Sequence, residues 1–182
     1  MRKVIAAINT TIDGFCDHTA GIADQELHNH YTTLLNDSGA IIYGRTTFEM
    51  MHYWKPFIGN PSGDSSMDDF AKAIDRIQKI VFSHTLRSTN WDTASLAQRP
   101  IQEIVEELMN QPGRDILVGS RSMINQLMKL NLIDEYQLCI HPVVSGKGLS
   151  LFDEDQDRTV FQLTKTKAFK SGAIILYYHK SE

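Results

Sequence analysis

A chain of 182 residues, 42% hydrophobic and 22% charged, has ordinary globular composition and the length for one domain, expected over residues 1–182, with a sizeable core. Its formal charge of −4 argues against nucleic acid as a partner, because that binding rests on Lys and Arg neutralising phosphates. Cys16 and Cys139 make no disulfide framework, no Cys/His spacing suits a structural metal, and "MRKVIAAINTTIDGF" is neither a signal peptide nor a membrane span. A cytoplasmic protein with no metal and no membrane partner is expected.

Val4 to Ile8 has the length and composition of a strand, and Asp13-Gly14 marks a turn after it. Residues 24–36 predict a helix, with Asp24 as the cap and Leu27, Tyr31, Leu34 and Leu35 at helical spacing. Ala40–Tyr43 is the next strand, and "TTFE" fits a capping box with Thr46 as N-cap and Glu49 three residues on. Residues 55–66, rich in Pro, Gly and Ser, read as a long surface loop of the kind that covers binding sites. A helix over about 67–76, a strand over Lys79–Ser83, a helix over 100–110 and a strand over Asp115–Val118 follow. Ser120 or Ser122 then caps a helix through about Leu130. Beyond Glu135 the pattern changes: a strand to Val144, a "VVSGKG" turn, then two alternating segments joined at Gly172. Helices alternate with strands and then strands follow strands. That order predicts an α/β fold with a mixed sheet, parallel first and closed by an antiparallel C-terminal hairpin.

Three corners after strands share one chemistry: Gly44-Arg45-Thr46-Thr47, Ser83-His84-Thr85 with Arg87, and Gly119-Ser120-Arg121-Ser122. Such corners lie at the carboxyl edge of an α/β sheet, where ligands bind. Helix starts offer unpaired N–H groups, glycine lets a phosphate approach, hydroxyls add donors, and arginine offers a planar fork. Each corner is also an ordinary helix cap, since Gly, Ser and Thr favour that position. Arginine beside the cap is not needed for capping, and the dipole favours an acid there. An anion with several phosphates explains the arginines. No GxGxxG run is present, so the Rossmann fingerprint is not the route.

The stretches "YGRTTFEM", "IVFSHTL", "ILVGSRSMINQLM" and "LIDEYQLCIHPVVSGKGLSLF" resemble the dihydrofolate reductase-like superfamily. They are closest to its branch related to the C-terminal reductase domain (RibD C-terminal domain) of bifunctional riboflavin-biosynthesis proteins. The similarity runs in order along essentially the whole chain, with "NTTIDGF" near that branch's N-terminal Ser-Leu-Asp-Gly. It implies a three-layer fold with helices on both faces of a mostly parallel sheet. It also implies NADPH in an extended groove, a homodimer, and hydride transfer to a small pteridine- or pyrimidine-like molecule or to a carbonyl or imine. On that resemblance Gly44, Arg45, Thr46 and Thr47 meet the 2′-phosphate and pyrophosphate. Ser83, His84 and Thr85 flank the adenosine, and Gly119, Ser120, Arg121 and Ser122 cradle the pyrophosphate. Ala7, Asn9 and the Asp13-Gly14 turn border the nicotinamide. The helix before the "GR" strand offers no usual carboxylate donor, so Asp13 is the catalytic candidate, with Asn9, His28 and Trp54 toward the substrate. His84 and Arg121 depart from the residues common at their positions. A nucleotide-binding module without turnover is therefore the second expectation.

Overall fold

The apolar run from Val4 builds β1, Val4–Thr11, in the computed structural model, which describes residues 1–16, 18–19 and 21–180. The chain continues through α1 (Gln25–Asp37), β2 (Ser38–Gly44), α2 (Arg45–Met51), a 3₁₀ turn (His52–Trp54), α3 (Pro56–Gly59) and α4 (Ser65–Arg76). Then come β3 (Gln78–Phe82), β4 (Ala94–Leu96), α5 (Ile101–Asn110), β5 (Asp115–Val118), α6 (Arg121–Lys129), β6 (Glu135–His141), β7 (Phe161–Ala168) and β8 (Ile174–Lys180). The strands form one sheet in the order β4-β3-β2-β5-β1-β6-β8-β7. Pairings are parallel up to β6, and β6–β8 and β8–β7 are antiparallel. The mixed, mostly parallel sheet with its C-terminal hairpin is as the pattern predicts.

Central strands covered on both faces read as continuous apolar runs, and alternate residues sort to opposite sides. Val4, Ala6, Ile42, Ile116 and Val118 pack with Val105 of α5 and with Ile124 and Leu127 of α6. Ile5, Ile41, Tyr43 and Leu117 pack with Leu35 of α1, Phe48 of α2 and Ile74 of α4. Each such side chain contributes about 1.5–3 kcal/mol by leaving water. Helices thus cover both faces, completing the three expected layers. The chain leaves β1 for β2 in one direction along the sheet and leaves β5 for β6 in the other. The carboxyl ends of β2, β5 and β1 are therefore the switch point where ligands bind.

Four local expectations change. β1 extends past Ile8 because Asn9, Thr10 and Thr11 pair with Cys139, Ile140 and His141 of β6, so the ladder overrides their polar character. The polar stretch after β3 yields a short edge strand, β4, with Lys79 opposite Ala94. Gly44 rather than Thr46 is the N-cap of α2, and no side chain caps that helix. The 55–66 segment is tied down rather than loose. It contains α3, Asp64 caps α4 by accepting from the Ser66 and Met67 amides, and Asp68 accepts from Ser62 at 2.7 Å. Asp24 caps α1 as predicted, accepting from the Leu27 amide at 2.8 Å.

Candidate active site

Two cavities meet at the carboxyl ends of β1, β2 and β5. The outer one, about 530 Å³, is walled by Ile8, Cys16, Thr46, Met50, Arg121, Ser122 and Leu149 among others. The inner one, about 140 Å³, lies against Tyr31, Leu34, Ile41, Tyr43, Phe70 and Leu117. Ala7, Asn9, Thr47, Met51 and Gly119 line both, so the outer groove, edged by Thr46 and Ser122, runs into the inner apolar recess. Neither wall contains an Asp or Glu among the described residues.

Glycines bring the corners together. A Cβ on Gly44 would stand 2.9 Å from Ser122 Oγ, and one on Gly119 would stand 2.9 Å from the Tyr43 ring. Only a residue with no side chain allows approaches this close. The Gly44 amide donates to Ser120 Oγ at 2.9 Å, tying the start of α2 to the start of α6. Ser120 is buried, 1% exposed, so its hydroxyl joins the two corners and does not face the groove. Neither α2 nor α6 has a side-chain cap, in contrast to α1 and α4 with their aspartates. Their first-turn amides, those of Thr46, Thr47 and Ser122 included, keep the dipole's positive end toward the groove.

The second corner differs from its expectation. No helix follows β3, and Ser83 Oγ is used locally, accepting from the Thr85 and Leu86 amides at 3.2 and 3.0 Å. His84 and Thr85 are exposed beside it. Thr85 is drawn to the first corner, its Oγ1 accepting from Arg45 Nη1 at 3.3 Å. Arg45 is exposed and has no carboxylate partner among the described residues. Arg121 is the opposite case. Its guanidinium pairs with Asp153 at 2.6 Å and donates to the Ser150 carbonyl, so its charge is already compensated although the residue lines the groove.

Asp13 also does different work. Its carboxylate accepts from Thr11 Oγ1 and from the amides of Ser145 (3.1 Å) and Gly146 (2.7 Å), which clamps the turn after β6 to the turn after β1. The Thr11 hydroxyl and these amides hold its pKa down at about 2. A carboxylate stabilised as the anion is a poor proton donor. His28 and Trp54 line neither cavity. Both pack on Phe70, with ring centroids 6.2 and 4.6 Å away, and so back one wall of the inner recess.

Sequence reasoning missed Tyr31 and His141. Tyr31 sits on the inward stripe of α1, where it reads as core, yet its hydroxyl donates to Asn9 Oδ1 at 2.9 Å. Burial raises its pKa well above the ordinary value, so it stays a neutral phenol. His141 enters through register: Asn9 lies opposite Cys139, and His141, two residues on, shares that face. Its Nε2 is 3.1 Å from Asn9 Oδ1, and its Nδ1 accepts from the Ile22 amide at 3.0 Å. Burial lowers its pKa. The signal available was the two-residue alternation along "CIH", usable only once β6 is known to lie beside β1.

A model of the RibD C-terminal domain matches residues 2–175. YyaP of Bacillus subtilis (strain 168) is 32% identical over 98% of this chain and 95% of its own length. Among solved structures, a Shewanella sp. PV-4 protein provisionally assigned to riboflavin biosynthesis superposes with TM-score 0.72 at 18% identity, covering 99% of both chains. Acinetobacter baumannii RibD, form 2, superposes with TM-score 0.67 at 16% identity, covering all of this chain and 58% of its own. At these identities the structural likeness speaks to the fold.

Proposed function

The chain belongs to the RibD C-terminal domain family, and from that premise we propose that it is an NADPH-dependent reductase acting on a small planar or carbonyl/imine substrate. Continuity between the two cavities supports this most. A groove with anion-ready amides and hydroxyls opens into an apolar recess large enough for part of a ring, and both meet at Ala7 and Gly119. The chain fits the cofactor on its own chemistry. Gly44 and Gly119 let the corners pack closely together, two helix starts are left without side-chain caps, and Arg45, braced by Thr85, has no carboxylate partner among the described residues.

On this proposal Arg45 and Thr85 hold the 2′-phosphate. Thr46, Thr47 and Ser122 hold the pyrophosphate with their amides and hydroxyls, Gly119 leaves it room, and Ser83 with His84 borders the adenosine. Bound nicotinamide supplies the hydride, and the protein's part is placement. Ala7 and Gly119 admit a flat ring because they are small. Asn9 and Tyr31 face the substrate across the join of the cavities. No Asp or Glu among the described residues lines either wall, so on this proposal the proton is taken from water reaching the recess. That same lack favours a second reading, a nucleotide-binding module without turnover.

Titration of the pure protein with NADPH, followed by tryptophan fluorescence, tests the reductase reading. Saturable binding with oxidation of NADPH by at least one pterin, flavin or carbonyl supports it. Binding with no oxidation across that panel selects the second reading, and no binding at millimolar cofactor removes both. The homodimer belongs to the same proposal: light scattering should give twice the 20.6 kDa of one chain, and a single-chain mass overturns it.

A further inference from the structure

The orientation of Asn9 is set by a chain of donors and acceptors that begins at a group unable to reverse. A backbone N–H can only donate, so His141 Nδ1, which takes the Ile22 amide at 3.0 Å, must be unprotonated. The neutral ring then carries its proton on Nε2, and Nε2 donates to Asn9 at 3.1 Å. The atom of Asn9 that receives it must be Oδ1. A reversed carboxamide would set its NH₂ against the Nε2 proton, donor facing donor. Tyr31 follows, because its hydroxyl hydrogen can rotate and it donates to the same Oδ1 at 2.9 Å. Oδ1 thus receives two donors, and Nδ2 has no protein partner among the described residues. Asn9 is exposed and lines both cavities where they join.

We propose that Asn9 is a specificity-determining residue whose carboxamide is locked with its N–H pair toward the ligand. The site then takes molecules that present a carbonyl or other acceptor edge and disfavours those that present an amino edge. His141 acts through Asn9 and is a positioning residue. The inference rests on the reductase reading for the place of the substrate, but the lock itself does not. A donor pair facing an amino edge leaves both unpaired, which costs discrimination of about 10- to 100-fold at a partly open site.

Two measurements on the full chain test it, neither needing turnover. Long-range ¹H–¹⁵N spectra of labelled protein at neutral pH should show His141 neutral with the proton on Nε2. A proton on Nδ1, or an imidazolium, overturns the lock. Binding of uracil and of 2,4-diaminopyrimidine, two rings of matched shape with opposite edges, is then compared in wild type, Asn9→Asp and Asn9→Ser. Wild type should prefer uracil, Asn9→Asp should reverse the preference because its carboxylate only accepts, and Asn9→Ser should lose most of it. Equal affinities in wild type, no binding of either ring at millimolar concentration, or an unchanged preference in both variants overturns the specificity role. Failure of NADPH to bind, with the tautomer and the preference as stated, would sink the reductase reading alone.

Discussion

Arg45 is a charge without a counter-charge, and that makes its test clean. Among the described residues its side chain hydrogen-bonds to Thr85, and both side chains are exposed. Arg45→Ala should therefore change stability by no more than about 0.5 kcal/mol, as for other surface substitutions away from a packed feature. If the guanidinium receives the 2′-phosphate, the same change should weaken NADPH about tenfold or more while leaving NADH nearly unaltered, since only the former carries that group. Parallel titrations decide it, and equal losses for both cofactors would refute the assignment. At this scale the sequence is a partial guide. "GRTT" announces Arg45 because an arginine at a helix start has no local use. It cannot announce that Arg121, the same residue in the same kind of corner, is taken by Asp153 at 2.6 Å, thirty-two positions away. The clamp made by Asp13 is hidden for a like reason: its partners Ser145 and Gly146 arrive from a distant turn.

Among the elements, α4 shows how a buried charge is used away from the site. Lys79 on β3 is fully buried, 0% exposed, yet its ammonium is well served. It donates to the Ile77 carbonyl at 2.8 Å, the Asp75 carbonyl at 3.1 Å and Thr93 Oγ1 at 2.6 Å, with the Trp91 ring 4.4 Å away. Asp75 lies in the last turn of α4 and Ile77 is its C-cap. Lysine therefore satisfies orphan carbonyls at the negative end of the helix dipole. Desolvation still lowers its pKa, to about 8. Lys79→Met keeps the apolar length and removes the donors, leaving the Ile77 carbonyl unpaired while the Thr93 hydroxyl still serves that of Asp75, and should cost about 1–3 kcal/mol by urea unfolding. A neutral result would mean that water replaces the ammonium. Element types were readable from period and length, since long apolar runs and amphipathic stripes are local. Edges were not: β4 exists only because β3 offers it an open ladder, and β1 runs to Thr11 only because β6 continues beside it.

For the whole molecule, acid sensitivity should begin with the histidines. Burial lowers the pKa of His28, His52 and His141, and lowers that of His30 to about 4. His30 has a buried Nε2 with no hydrogen-bond partner among the described residues, Lys167 Nζ 3.3 Å from its Nδ1, and the rings of Tyr31 and Phe169 against it. Both burial and a neighbouring cation oppose the imidazolium. The unfolded chain binds these protons near pH 6.5 and the folded chain refuses them until lower pH, so the unfolded state holds more protons in between. Stability is then complete above about 6.5 and falls as pH drops toward about 4. Carboxylates act in a second, separate window. Asp13, held at about 2, and Asp24, Asp64, Asp68 and Asp155, all lowered by hydrogen bonds, contribute stability above their ordinary range and lose it as pH falls through their folded values. Urea midpoints across acid pH should decline in two stages. His30→Gln, which cannot take up a proton, should reduce the first stage and leave the second unchanged. A midpoint that stays flat until the carboxylate range would show that these imidazoles are hydrated well enough to charge within the folded protein.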